Sequence, residues 1–219
     1  MKVGIITYNK KHLKTIQVLK NLIKKKYKLK IFLLPFKKRK KRKIFFKHRP
    51  DQFRSENPLN FAKKNGIKYS NISYHYKGLK NFDYFLICGS ALLNKEFIKK
   101  NTIINCHSGL LPYARGLDAF KWSIYKKIRL GVSLHIINEK TDSGYLIKSR
   151  KTLFGHKDSL TNVAKKHYEN EIDLLSNFEK FLKNKKIKLK NFSVPTKRMP
   201  FDIEKNLFLY FRDYKKKFK

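Results

Sequence analysis

A chain of 219 residues with 41% hydrophobic and 14% aromatic residues is long enough to bury a full core, which excludes a mini-protein and whole-chain disorder. Its 54 Lys and Arg against 15 Asp and Glu give a net charge of +39, a surface that attracts anionic small molecules and binds nucleic acid non-specifically at low salt. Lysine is spread throughout rather than gathered in one stripe, so compositional bias explains the charge at least as well as a binding face does.

Cys88 and Cys106 are too few for a disulfide scaffold, and both follow apolar runs, where Cys acts as a small buried hydrophobe. The opening MKVGIITYNKKH lacks the apolar core of a secretory signal. No stretch approaches the ~18 uncharged apolar residues of a membrane span. A soluble, cytoplasmic protein without membrane partners is expected.

The elements read as an alternation of strands and helices. KVGIITY (2–8) is a buried strand, and the helix after it carries Leu13, Ile16, Leu19 and Ile23 at helical spacing. KLKIFLLPF is a second strand, followed by the cationic block KKRKKRK (37–43), which is solvated or matched to anions. PLNFAKKNG is a helix with Asn57 as N-cap, Pro58 at its first position and Gly66 as its stop. IKYSNI and NFDYFLICGS (81–90) are the third and fourth strands, LNKEFIKKN a short helix, and TIINCHSG the fifth strand.

The fourth and fifth strands both end in small polar residues, which predicts parallel neighbours with adjacent carboxyl ends, the edge where open α/β sheets bind ligands. DAFKWSIYKK is a helix, and RLGVSLHIINEK a strand alternating at Val132, Leu134 and Ile136. TDSGYLIKSRKTLF is a turn and strand. Residues 159–183 form the longest amphipathic helix, capped by Ser159 or Thr161, and a Pro-marked connection leads to a terminal helix with Leu207, Leu209 and Phe211.

In INCHSGLLPYARG (104–116), Asn105 and His107 alternate and so share one face of a strand. Alone they read as a turn cap and a histidine bonded to a loop carbonyl rather than as chemistry. A second element, Gly131, Ser133, His135, Asp142 and Gly144 in GVSLHIINEKTDSGYLI, places a carboxylate in a turn where it can orient an imidazole. His12, His75, His156 and His167 lack partners at informative spacing and are expected at the surface or in turns.

Together the two elements resemble the folate-dependent formyltransferases, the family of glycinamide ribonucleotide formyltransferase, methionyl-tRNA formyltransferase and sugar N-formyltransferases. The similarity runs over about residues 81–150. It implies a Rossmann-like α/β domain with a mostly parallel open sheet and helices on both faces, here a catalytic domain over 1–185 and an extension over 186–219. It implies Asn105, His107 and Asp142 as the catalytic set, with Asn105 and protonated His107 as oxyanion donors and Asp142 favouring the imidazolium. The implied co-substrate is 10-formyltetrahydrofolate, held by Gly89, Ser90, Ala91, Leu92, Leu93, Asn138 and Thr141, and no metal is needed.

The segment after the first strand, TYNKKHLKT, lacks the glycines with which glycinamide ribonucleotide formyltransferase holds a phosphate. Asn9 and Lys10 at a helix N-terminus, His48 and Arg49, and Arg115 are the candidates for the acceptor instead. Fewer residues follow 185 than the C-terminal β-domain of methionyl-tRNA formyltransferase requires. The expected reaction is formyl transfer to the primary amine of a small, phosphorylated or nucleotide-linked acceptor, an amino sugar first and glycinamide ribonucleotide second. A formyltetrahydrofolate hydrolase and a basic nucleic-acid-binding module on a degenerate enzyme scaffold are the alternatives, and a homodimer is compatible with the sequence. Cys106 is no nucleophile for His107, because adjacent strand residues face opposite ways.

Overall fold

The computed structural model describes residues 1–36, 42–76, 79, 81–190 and 194–218. Five residues of the cationic block, 37–41, lie outside this set; Arg42 and Lys43 lie within it. Among the described residues eight strands, β1 (Lys2–Tyr8), β2 (Lys28–Leu34), β3 (Lys68–Asn71), β4 (Tyr84–Ile87), β5 (Ile103–His107), β6 (Gly131–Ile136), β7 (Tyr145–Lys151) and β8 (Ile187–Lys188), hydrogen-bond in the order β3-β2-β1-β4-β5-β6-β7-β8, and the chain divides into two compact units interleaved in sequence.

The first unit holds Met1–Arg39, Asp51–Asn105 and Ile136–Glu139. Its strands β1 (Lys2–Tyr8), β2 (Lys28–Leu34), β3 (Lys68–Asn71), β4 (Tyr84–Ile87) and the start of β5 (Ile103–His107) are parallel at every recorded pairing. The expected α/β alternation and the parallel neighbouring of the fourth and fifth strands are therefore observed. Crossover helices α1 (Leu13–Ile23), α2 (Pro58–Lys64) and α3 (Lys95–Lys100) connect them, as parallel strands require. Asn57 caps α2 by accepting from Leu59 N at 2.8 Å, and Gly66 takes φ +63 just beyond its end. The core packs Ile6, Phe32, Leu34, Phe85, Phe97 and Ile103. Gly4 leaves room for the Phe85 ring: a Cβ there would lie 2.5 Å from it.

The second unit holds Lys40–Pro50, Cys106–His135 and Lys140–Lys219. It contains α4 (Ala119–Tyr125), most of β6 (Gly131–Ile136), β7 (Tyr145–Lys151), α5 (Leu160–Ser176), β8 (Ile187–Lys188), α6 (Phe201–Glu204) and α7 (Leu207–Lys217). Ser159, rather than Thr161, caps α5, accepting from Asn162 N at 3.1 Å; beyond α5 a 3-10 turn covers Phe178–Phe181. The short β8 pairs antiparallel with β7 and was not expected from sequence. Residues of the C-terminal stretch enter the core directly: Met199, Leu207, Phe211 and Tyr214 pack with Phe120, Ile124 and Val163. The Tyr214 hydroxyl donates to Ile128 O at 3.0 Å and accepts from Leu130 N at 2.7 Å.

Candidate active site

β5 delivers two polar side chains on one side of the strand, Asn105 partly buried and His107 8% exposed. Cys106 between them is buried. In the second unit the His107 ring is held at both nitrogens: Nδ1 faces Asp142 Oδ1 at 3.2 Å, and Nε2 lies 2.8 Å from Ala114 O. Both ring nitrogens therefore face an oxygen acceptor, one a carboxylate and the other a carbonyl. The loop carbonyl and the carboxylate, which the sequence left as competing readings of His107, are both its partners.

Asp142 reaches this position through a turn with φ 45, uncommon for a residue with a Cβ. Its second oxygen, Oδ2, accepts from Gly116 N at 2.7 Å. Arg115 grips the same turn, donating from Nε to Asp142 O at 3.2 Å and from Nη2 to Thr141 O at 2.6 Å. Arg115, expected at the acceptor, is 5% exposed, with these nitrogens committed to backbone. Thr141 is exposed and Asp142 half-buried.

Behind His107, Ser108 Oγ lies 3.0 Å from His167 Nε2, and Thr152 Oγ1 lies 2.8 Å from His167 Nδ1. Burial brings His167 down to about 4, with Glu171 pulling the other way and Arg49 adding to the drop. His167 is therefore a buried neutral ring, which corrects the expectation of a surface residue. His12 is likewise 9% exposed and bonded to Thr15 Oγ1 at 2.8 Å, whereas His75 and His156 are exposed in turns. His135, fully buried, bonds Ser143 O at 3.1 Å and is also lowered to about 4, first by burial and then by His107.

The remaining acceptor candidates have partners within their own units. Arg49 Nη2 meets both oxygens of buried Glu171 at 2.9 and 2.8 Å. His48 stacks on Phe120 with ring centroids 5.6 Å apart, and burial, then Arg49 and Lys121, hold it well below its usual value. In the first unit α1 begins at Leu13 with His12 as N-cap, so Asn9 and Lys10 precede the helix instead of forming its first turn. Asn9 Nδ2 donates to Asn71 Oδ1 at 3.4 Å, and Lys10 Nζ lies 4.4 Å from the ring centres of both Phe36 and Phe53.

The folate candidates 89–93 form the turn leaving β4. Gly89 N donates to Ile6 O at 3.3 Å, and a Cβ on Gly89 would lie 2.9 Å from the Tyr8 ring. Ser90 donates to Ala91 O, Leu93 is half-buried and Leu92 is 81% exposed. Asn138 is half-buried in the same unit.

A sequence profile described as formyl transferase matches residues 60–178, more than half of the chain. The chain belongs to the formyl transferase family. The family match spans the Asn105–His107 strand and Asp142, but stops before the C-terminal stretch that packs on α4. Among relatives, the formyltetrahydrofolate deformylase 2, mitochondrial, of Arabidopsis thaliana is 27% identical over 126 residues, 49% of this chain and 37% of its own length. The chain spans 26–38% of the length of the curated relatives it matches.

Solved structures of formyltransferases share the fold. The N-formyltransferase from Helicobacter canadensis, in complex with folinic acid and dTDP-3-aminofucose, superposes with TM-score 0.65 at 18% identity, covering 96% of this chain and 80% of that one. Phosphoribosylglycinamide formyltransferase from Campylobacter jejuni superposes with TM-score 0.60 at 22% identity, covering 83% and 97%.

Proposed function

We propose that this formyl transferase family member moves the formyl group of 10-formyltetrahydrofolate to the primary amine of a nucleotide-linked amino sugar. The observation that carries the reading is the His107 ring held by Asp142 at one nitrogen and by Ala114 O at the other, two residues beyond Asn105 on the same side of β5. The acceptor nitrogen attacks the formyl carbon, a C–N bond forms, the bond to N10 of the folate breaks, and the proton lost by the amine is returned to N10. Negative charge grows on the formyl oxygen in between. The Asn105 amide N–H donates to it, and His107 Nε2–H exchanges Ala114 O for the oxyanion, the kind of preorganised donation that dominates acyl-transfer catalysis. Asp142 keeps the imidazole charged and oriented.

By resemblance, the turn Gly89–Leu93 with Asn138 and Thr141 contacts the folate. An amino sugar is favoured over glycinamide ribonucleotide by two features. The segment after β1 offers Lys10 over Phe36 and Phe53, ring faces and an ammonium suited to a nucleobase-bearing anion, in place of glycine amides around a bare phosphate. The Helicobacter structure, whose ligand is an amino sugar nucleotide, also has counterparts for nearly the whole chain. Hydrolysis, with water as the acceptor, is the second reading, favoured by the deformylase among the sequence relatives.

Incubation with 10-formyltetrahydrofolate, alone and with dTDP-amino sugars or glycinamide ribonucleotide, separates them: transfer gives formylated sugar and amine-dependent folate release, hydrolysis gives amine-independent release. His107→Ala and Asp142→Asn are expected to lower turnover by about 10²- to 10⁴-fold with the fold retained. Near-wild-type rates in both, or salt-dependent RNA binding without folate turnover, would overturn the proposal.

A further inference from the structure

The catalytic pair is held by residues 114–117, and these are held in turn by one residue of the C-terminal stretch. On one side, Ala114 O takes His107 Nε2, the Arg115 side chain takes the backbone of Thr141 and Asp142, and Gly116 N takes the Asp142 carboxylate. On the other, Arg115 O accepts from Thr196 N at 3.0 Å, and Leu117 N donates to Thr196 O at 2.8 Å, a parallel bridge of Gly116 with Thr196. The Thr196 hydroxyl lies 2.8 Å from Arg115 O and 2.9 Å from Leu117 O, so its single proton is shared between the two carbonyls that flank Gly116. Gly116 has φ +94, and a Cβ there would collide with the backbone N and O of Thr196; only glycine permits this approach.

The stretch around Thr196 is itself fixed. Lys197 O accepts from Trp122 Nε1 at 2.7 Å, and Asp118 accepts from Met199 N at 3.1 Å and from Arg198 at 3.2 Å.

We propose that Thr196 is a positioning residue for the His107–Asp142 pair: its hydroxyl sets the peptide planes on either side of Gly116, and with them the direction of the Gly116 N–H that orients the Asp142 carboxylate. This rests on the formyl-transfer reading above. Two of the contacts to the 115–117 backbone come from the main chain of residue 196 and survive any substitution that keeps the fold; the hydroxyl contacts do not. Thr196→Val keeps the shape and removes them, and Thr196→Ser restores them.

The expected result for Thr196→Val is a fall in kcat of about ten- to hundredfold, with KM for both substrates near wild type and a displaced inflection in the kcat/KM–pH profile, both recovered in Thr196→Ser. Amide hydrogen exchange at Gly116 reads the contact without turnover: it should quicken by about two- to tenfold in Thr196→Val, but not in Thr196→Ser, with the melting temperature little changed. Wild-type kcat, an unmoved pH profile and unaltered Gly116 exchange in Thr196→Val would overturn the proposal, as would an equal loss in the serine variant. Faster Gly116 exchange in a protein whose wild type transfers no formyl group would sustain the positioning and remove the functional reading.

Discussion

The two units bury different things. Inside the first, aromatic rings gather around Phe85, Phe97 edge to face at 4.9 Å and Phe82 tilted at 5.1 Å, and the buried polar residues among those described are Thr7, His12, Lys14 and Thr15. The second buries carboxylates and pairs each with a cation: Glu204 with the equally buried Lys121, and Glu204, Asp118 and Glu171 with the more exposed guanidinium groups of Arg42, Arg198 and Arg49. Apolar packing specifies a unit by pattern and tolerates exchange among similar side chains. Buried ion pairs contribute little net stability, yet each fixes which segments come together, because either partner alone is costly.

The largest test of that contrast is Glu204→Ala. It strands the fully buried Lys121 ammonium and removes the acceptor of Phe46 N, which Glu204 Oε1 holds at 3.2 Å. The expected loss is about 3–5 kcal/mol in urea unfolding. The double variant Lys121→Met, Glu204→Leu should recover most of it, since no charge is then left unpaired. If the single variant costs under about 1 kcal/mol, the pair does not define the second unit.

Next in size is acid. A histidine whose folded value is lowered binds fewer protons folded than unfolded, so stability is full above the unfolded value and is lost as pH falls toward the folded one. For His167, lowered from 6.5 to about 4, the window is pH 6.5 to 4, and the loss at pH 5 is about 2 kcal/mol. His135, shifted the same way, steepens the decline. Urea midpoints between pH 7 and 5 should fall in the wild type, and less in His167→Gln; equal slopes would show that His167 does not carry the effect.

These features mark where the sequence could be read and where it could not. The α2 boundaries followed from Asn57, Pro58 and Gly66 because a cap is local chemistry, and the parallel strands followed from apolar runs ending in small residues. Asn105, His107 and Asp142 stood out through their joint spacing and family resemblance. His167 did not, although a signal was there: with Glu171 it sits in the buried stripe of α5 that runs through Leu160, Val163, Ala164, Tyr168 and Ile172, so a polar residue in that register implied a buried partner. Thr196 lies 81 residues from Arg115, and β8 is two residues long with Ile187 58% exposed. Neither leaves a periodicity to detect, because pairing across such separations is decided by tertiary contact.

The smallest test removes the same local device from each unit. Asn57→Ala deletes the acceptor of Leu59 N in the first unit, and Ser159→Ala that of Asn162 N in the second; each should cost about 1 kcal/mol. Equal costs would mean that helix ends are built alike in both units, so the contrast between them lies in their interiors. A clearly larger cost at Asn57 would point instead to its amide, which donates to Asn9 Oδ1 at 3.5 Å, and would tie the segment after β1, where the acceptor is proposed to bind, to the stability of α2.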